Sequence, residues 1–238
     1  MTADFAAHLR AETDAFAAVL AAAIADPALL ARPVASCPGW NLYDLTDHLG
    51  GVHRWVVTAI DEGHGRGAPD AAPHEASALL AWFADGVADL IAALDRDADR
   101  PAWSFSREPG HDRLAFWQRR QAHENLIHRW DAESAIGRPG PLDATLAADG
   151  IAEVLEVFVP RMRARGLLGP LPDAVRLRAT DTAAEWVIGD DPNHVVATIS
   201  GPAADLLLHL WKRTGDAELT WSGDGDAGRV TLANAVTA

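Results

Sequence analysis

The sequence is poor in cysteine, since Cys37 is the only one among 238 residues. A single cysteine excludes any intrachain disulfide, which fits a reducing compartment and leads us to expect a cytoplasmic protein. Cys37 precedes a Pro-Gly turn and has no obvious partner base in the sequence. We therefore interpret it as a structural cysteine and not as a nucleophile.

Basic residues are also scarce, with 20 Lys and Arg against 34 Asp and Glu and a formal net charge of −14. Such an acidic chain repels polyphosphate and anionic lipid, so we expect no nucleic-acid partner and no membrane-surface partner. A small anionic substrate held by a local arginine is still compatible with this charge.

Long hydrophobic runs are missing as well. The longest, Ala15 to Ala25, is far shorter than the roughly 20 residues that cross a bilayer. The first residues form an amphipathic segment with Asp4, Glu12 and Asp14, in place of the basic region and apolar core of a secretion signal. We therefore expect a soluble protein without a leader.

The first two-thirds of the chain has the periodicity of α-helices. Apolar spacing predicts helices at about 3–25, 42–59, 79–94 and 113–136, and a fifth one capped by Asp143. Gly137 is predicted to close the helix at 113–136. Asn41 is the predicted N-cap of the second helix, with Asp44 at the positive end of its dipole. A long loop at 95–112 is predicted to cover one end of the bundle.

The pattern changes after Gly166. Alternating apolar residues predict strands at 175–179, within 184–188 and 194–199, and at 218–221, and a helix at 203–213. The predicted fold class is α+β: a helical bundle over residues 1–168, followed by a small α+β domain over residues 169–238.

Three side chains in the helical part suit a divalent metal. Glu124 and His128 lie four residues apart, hence about 40° apart around one helix, and His48 accompanies the apolar stripe of another. His53, five residues after His48, faces elsewhere. Two imidazoles and one carboxylate suit zinc, nickel, iron or manganese, and three protein ligands favour a catalytic over a structural metal. The alternative is a hydrogen-bonded core histidine at position 48 and an arginine partner for Glu124.

Two segments resemble a known family. Residues 37–55 (CPGWNLYDLTDHLGGVHRW) resemble the first signature of the mycothiol-dependent maleylpyruvate isomerase-like proteins, and residues 123–133 (HENLIHRWDAE) resemble the second. That family belongs to the DinB-like four-helix bundles. The resemblance implies that His48, Glu124 and His128 hold the metal, usually zinc. Residues 201–213 are similar to a helix of the family's sterol-carrier-like C-terminal domain.

The resemblance further implies that the metal activates the thiol of mycothiol as cosubstrate, for cis-trans isomerisation of maleylpyruvate or a related electrophile. A cationic side chain should hold the substrate carboxylates, and similarity to an arginine-bearing segment makes Arg213 the candidate catalytic residue. A solvated arginine at a helix C-terminus is the alternative.

Asp131 can support a ligand histidine or form a salt bridge; we favour the salt bridge.

Two other functions stay open at this point. A mycothiol S-transferase would use the same thiol chemistry on another electrophile, with net consumption of thiol. A non-catalytic protein would hold metal and a small molecule without turnover.

We interpret the tryptophans, Trp40, Trp55, Trp117 and Trp130 among them, as packing residues and not as a ligand cage.

Overall fold

The protein is described by a computed structural model over residues 3–235. The predicted outer limits of the two domains, at residues 1 and 238, lie outside the described residues. The chain divides into two compact units, one of residues Asp4–Gly140 and one that begins at Pro141 and also takes in Ala3.

Four long helices build the first unit: α1 (Phe5–Ala25), α2 (Leu42–Glu62), α3 (Ala76–Leu94) and α4 (Leu114–Ala135). A short 3₁₀ segment, Pro27–Ala31, follows α1. Helices α1 and α2 each pack against both α3 and α4. This arrangement confirms the predicted helical first part and sets α2 beside α4, the two helices that carry the candidate metal ligands.

Local signals at the ends of α2 and α4 act as the sequence predicts. The Asn41 side chain accepts a hydrogen bond from the Asp44 backbone N–H, and the Asp44 carboxylate accepts one from the Asn41 N–H, both at 2.9 Å. This capping box satisfies donors that the helix itself cannot bond. Gly137, with φ of 76°, provides the left-handed residue just beyond α4.

The core of the first unit lies between the four helices. On α2, the predicted stripe is buried at Leu42, Leu45, Leu49, Val56 and Ala59, whereas Val52 is half-buried. At the centre, the rings of Phe16 (α1) and Phe83 (α3) stack with centroids 4.8 Å apart.

The predicted long loop before α4 is tied to the helices by aromatic residues. The Trp55 ring contacts those of Trp103 and Trp117 at centroid distances of 5.9 and 5.4 Å. The Trp117 indole N–H donates to the carbonyl of Trp103 at 2.6 Å. Trp55 and Trp117 are therefore packing residues, as predicted.

Within the described residues, α3 is the one helix long and apolar enough to cross a membrane. Length and composition alone are weak grounds for a span, because the core helix of a soluble protein meets the same test. Here Leu79, Phe83 and Leu90 of α3 are fully buried within the first unit.

The second unit combines helices with one four-stranded sheet. Helix α5 (Ala144–Glu153) continues through a π turn at Val154–Phe158 into α6 (Val159–Ala164). The strands are β1 (Ala174–Ala179), β2 (Glu185–Ile188), β3 (Val195–Gly201) and β4 (Thr220–Gly223), with sheet order β2-β1-β3-β4. The β1–β3 pair is parallel and the outer pairs are antiparallel. The predicted α+β fold class is confirmed.

The division between the units lies earlier than the predicted boundary at 168/169. Helix α5 packs against α7 (Ala203–Leu210), so its apolar face is buried within the second unit. Helix periodicity shows that a face must be buried, but it does not show against which element.

Two further details differ from prediction. Helix α7 ends at Leu210 and not at residue 213, because Lys212 adopts a left-handed conformation with φ of 59°. Helix α8 (Gly225–Ala235) was not predicted, since glycines interrupt its apolar pattern. It packs against β3 and β1, and the Asp224 carboxylate caps it by accepting from the Ala227 N–H at 3.1 Å.

Candidate metal centre

The structure brings His48, Glu124 and His128 together. Glu124 and His128 lie one turn apart on α4, and His48 projects from α2. Glu124 Oε1 lies 3.5 Å from His48 Nε2 and 3.5 Å from His128 Nε2. One ligand atom from each residue lies within 4.8 Å of those of the other two.

These separations suit a single metal ion. Two ligand atoms about 2.1 Å from a tetrahedral zinc ion lie about 3.4 Å from each other, close to the two observed distances of 3.5 Å. The donor set also fits, because imidazole nitrogen and carboxylate oxygen are common ligands of zinc and of neighbouring divalent metals.

His48 lies at the edge of the core and not inside it. Its side chain is 35% exposed, and its ring contacts those of Trp40 and His128 at centroid distances of 4.9 and 5.2 Å. Trp40 therefore packs directly against a candidate ligand. Partial exposure is unlike a fully hydrogen-bonded core histidine, and it places His48 at the solvent-exposed edge of the group.

Asp131 supports His128. Its Oδ2 lies 3.0 Å from His128 Nδ1, and its Oδ1 accepts a hydrogen bond from the Ser36 hydroxyl at 2.6 Å. A carboxylate on Nδ1 favours the tautomer with a proton there and leaves Nε2 as the metal-binding nitrogen. The same contact is a salt bridge when His128 is protonated, which agrees with the interpretation favoured in the sequence analysis, and it also places Asp131 on a candidate ligand histidine.

Cys37 lies at the border of this group. Its Sγ is 3.9 Å from Asp131 Oδ2, and the side chain is half-buried. Cys37, His128 and Asp131 form a second group of potential ligands that shares His128 with the first. Because His128 Nδ1 and Asp131 Oδ2 are already hydrogen-bonded to each other, the first group is the better candidate.

Buried charges keep Glu124 ionised. Burial by itself would raise the pKa of Glu124, but the charge of Arg120 and hydrogen bonds from His128 and His48 hold that pKa well below its usual range. Burial would likewise lower the pKa of His128, but hydrogen bonds to Asp131 and Glu124 raise it to about 9. In the metal-free protein His128 is therefore protonated near neutral pH, and a metal ion must displace that proton.

Arg120 is a part of the site that the sequence analysis missed. It precedes Glu124 by one turn of α4, is 6% exposed, and forms an ion pair with Glu124 Oε2. The i,i+4 spacing of an arginine and a glutamate was the signal for this pair. The sequence analysis gave an arginine partner for Glu124 as the alternative to metal binding. The structure has both features, because Oε2 of Glu124 pairs with Arg120 and Oε1 faces the two histidines.

His53 is a second residue whose position was not foreseen. It is fully buried between α2 and α4, and its Nε2 lies 3.0 Å from the Asn125 side-chain oxygen. Burial lowers the pKa of His53 from 6.5 to about 4, against the opposing effect of the Asn125 hydrogen bond. His53 is therefore a neutral core histidine.

The neutral state of His53 makes stability depend on pH. The unfolded chain takes up a proton at His53 below about pH 6.5, whereas the folded protein does so only near pH 4, so stability falls over that window. Between about pH 7 and 4.5 we expect the free energy of unfolding to fall by about 2 kcal/mol more in wild type than in His53→Gln. Urea denaturation at both pH values measures the difference, with the exposed His194→Gln as control. Equal losses in wild type and His53→Gln would contradict it.

Arg213, the candidate substrate-binding cation, belongs to the second unit. It lies beyond the last residue of α7, and its guanidinium donates to the carbonyl of Trp211 at 2.8 Å. This contact fits an arginine that bonds the last carbonyls of a helix. The catalytic assignment of Arg213 stays a prediction.

The fold and the candidate site define a class: a helical unit with two histidines and one carboxylate that could hold a metal ion, followed in the same chain by a small α+β unit. The family model described as mycothiol maleylpyruvate isomerase N-terminal domain matches residues 9–133, and that described as MDMPI C-terminal domain matches residues 145–231. The chain belongs to the mycothiol-dependent maleylpyruvate isomerase-like family.

Two solved structures and two sequence relatives are similar to this chain. A crystal structure of the mycothiol-dependent maleylpyruvate isomerase matches with a TM-score of 0.64 at 17% identity over 92% of each chain. A histidine-to-alanine mutant of that isomerase matches over the same shares with a TM-score of 0.59. The Mycobacterium tuberculosis proteins named Uncharacterized protein Rv0738 and Uncharacterized protein MT0763 are each 30% identical over 166 residues, which is 67% of this chain and 82% of theirs.

Proposed function

We propose that this protein is a metal-dependent and mycothiol-dependent enzyme that activates a thiol at His48, Glu124 and His128. The observation that carries the proposal is the convergence of these three side chains, with Glu124 Oε1 3.5 Å from both histidine Nε2 atoms. Membership of the isomerase family supports the choice of mycothiol as the thiol. A solved structure of the same fold is that of a mycothiol-dependent maleylpyruvate isomerase.

The three side chains are arranged for a metal that also binds exogenous ligands. A bound divalent cation, which we propose to be zinc, lowers the pKa of a thiol so that the nucleophilic thiolate exists near neutral pH. Glu124 contributes a carboxylate that is ionised before the metal arrives, and Asp131 orients His128 by its hydrogen bond at Nδ1. The half-exposed side chain of His48 marks the accessible edge of the site.

The proposed reaction needs only a thiolate and a conjugated double bond. Thiolate addition to maleylpyruvate turns that double bond into a single bond, about which the molecule can rotate. Expulsion of the thiolate then restores the double bond in fumarylpyruvate. The thiol is regenerated. We propose that Arg213 holds the substrate carboxylates. Such a cation would favour this reaction over attack on neutral electrophiles.

A mycothiol S-transferase is the second candidate, because 17% identity to the isomerase structures leaves room for a different electrophile. Such an enzyme consumes one thiol for each molecule of product, whereas the isomerase consumes none. The two functions therefore differ in a quantity that is simple to measure.

We expect zinc-loaded protein and mycothiol to convert maleylpyruvate with no loss of free thiol, and His48→Ala to lose at least about 99% of that rate. Absorbance of the isomers follows conversion, and a thiol-reactive dye counts free thiol. Loss of thiol with an added electrophile, without isomerisation, would establish the transferase instead. Tight metal binding with neither activity would leave a binding protein.

A further inference from the structure

The two oxygens of Glu124 face different partners. Oε1 lies 3.5 Å from His48 Nε2 and 3.5 Å from His128 Nε2. Oε2 instead accepts a hydrogen bond from Nη2 of Arg120. One carboxylate therefore points a single oxygen at the histidines, and the other oxygen is engaged by a cation.

Arg120 is placed to keep Oε2 engaged. It is 6% exposed, so little water competes for its guanidinium, and it lies one turn before Glu124 on the same helix. The guanidinium stays charged at any pH of interest, and hydrogen bonds between ionised groups are stronger than neutral ones. Moving Glu124 away would leave a buried cation without this carboxylate, which is unfavourable.

The number of oxygens that Glu124 offers decides how many coordination positions the protein fills. A carboxylate can bind a metal through one oxygen or through both. With Oε1 alone, His48, Glu124 and His128 supply three donor atoms, and a three-ligand site keeps positions for water or substrate. With both oxygens they supply four, and one fewer position remains for a thiol.

We infer that Arg120 is a positioning residue that holds Glu124 as a one-oxygen metal ligand and thereby keeps a coordination position open for the thiol. This inference rests on the proposed function, because it concerns the same three ligands. Arg120 acts through Glu124 and needs no contact with the thiol. Arg120 is therefore expected to change how well the bound metal takes up a thiol, and not whether the protein binds the metal.

Two measurements on metal-loaded protein test this role without an activity assay. Crystal structures of zinc-loaded wild type and Arg120→Met give the distances from zinc to both Glu124 oxygens. Titration of the Co²⁺-loaded proteins with β-mercaptoethanol, followed by the sulfur-to-cobalt charge-transfer band, gives thiol affinity. Two variants serve as controls. Arg120→Lys keeps the positive charge at position 120, and Arg119→Met removes a neighbouring arginine that lies about 140° around α4 from Glu124.

In wild type we expect Oε1 alone within about 2.2 Å of zinc, and in Arg120→Met both oxygens at comparable distance. Thiol binding should weaken about tenfold in Arg120→Met, recover largely in Arg120→Lys, and stay unchanged in Arg119→Met. A one-oxygen Glu124 in Arg120→Met, with thiol affinity within about twofold of wild type, overturns the inference.

If Arg120→Met does not fold, the zinc-loaded wild type decides the question. Glu124 bound through Oε1 with Arg120 on Oε2 supports the inference, and Glu124 bound through both oxygens overturns it while the proposed function stands. A wild type that takes up no zinc overturns the proposed function and this inference together.

Discussion

Wild-type protein purified without chelator should carry about one divalent metal ion per chain, and Glu124→Ala should carry almost none. Three protein ligands are few, so losing one should weaken binding on the order of a hundredfold or more. The loss of metal affinity should exceed that caused by replacing a residue that only hydrogen-bonds to a ligand, because Glu124 Oε1 is the atom that faces both histidines. Elemental analysis of the purified proteins, before and after zinc is offered and excess removed, measures the content.

Glu62→Ala is the matched control. Glu62 is an exposed glutamate whose carboxylate lies 3.2 Å from His64, so it also forms a Glu–His pair but lacks a second histidine. We expect Glu62→Ala to retain the metal content of wild type. Metal retained in Glu124→Ala, or absent from wild type after zinc is offered, would refute the assignment of the ligands.

The largest expected loss of stability is at Arg129, a buried arginine of α4. Its Nε donates to Glu12 at 2.6 Å, and its Nη1 donates to Glu133 at 2.8 Å. Arg129→Met leaves the buried Glu12 carboxylate without its cation, which costs roughly 3 to 5 kcal/mol of unfolding free energy. Urea denaturation followed by tryptophan fluorescence measures the loss.

Two further variants separate the buried charge from packing. Arg10→Met, at an exposed position of α1, should change the unfolding free energy by less than about 0.5 kcal/mol. Adding Glu12→Gln to Arg129→Met removes the uncompensated carboxylate and should restore part of the loss. A single Arg129→Met variant as stable as wild type, or a double variant less stable than the single, would count against this account.

The ends of α2 and α4 were predictable because their causes are local. Asn41 and Asp44 cap α2 through bonds between residues three apart in sequence. Gly137 closes α4 because glycine readily adopts a positive φ. Such signals need no knowledge of what the helix packs against, and they were read correctly from the sequence.

The two histidines of α2 show where periodicity stops being sufficient. The stripe predicted that His48 accompanies the core and that His53 faces elsewhere, yet His48 is 35% exposed and His53 is fully buried. Whether each histidine is buried depends on how much of α2 is covered by its neighbours, and Asn125 of α4 lies opposite His53. Helical spacing fixes the angle between two side chains but not the extent of the covered face.

The sequence by itself determined the helical and α+β parts of the chain, the capping of α2, and the pairing of Glu124 with His128 on one face of α4. These follow from backbone geometry over a few residues. Tertiary structure decided that His48 joins the pair, that Ser36 bonds Asp131 across 95 residues, and that α5 belongs to the second unit. Such contacts depend on how whole helices pack, and the packing is set by the summed burial of many side chains and not by any one local motif.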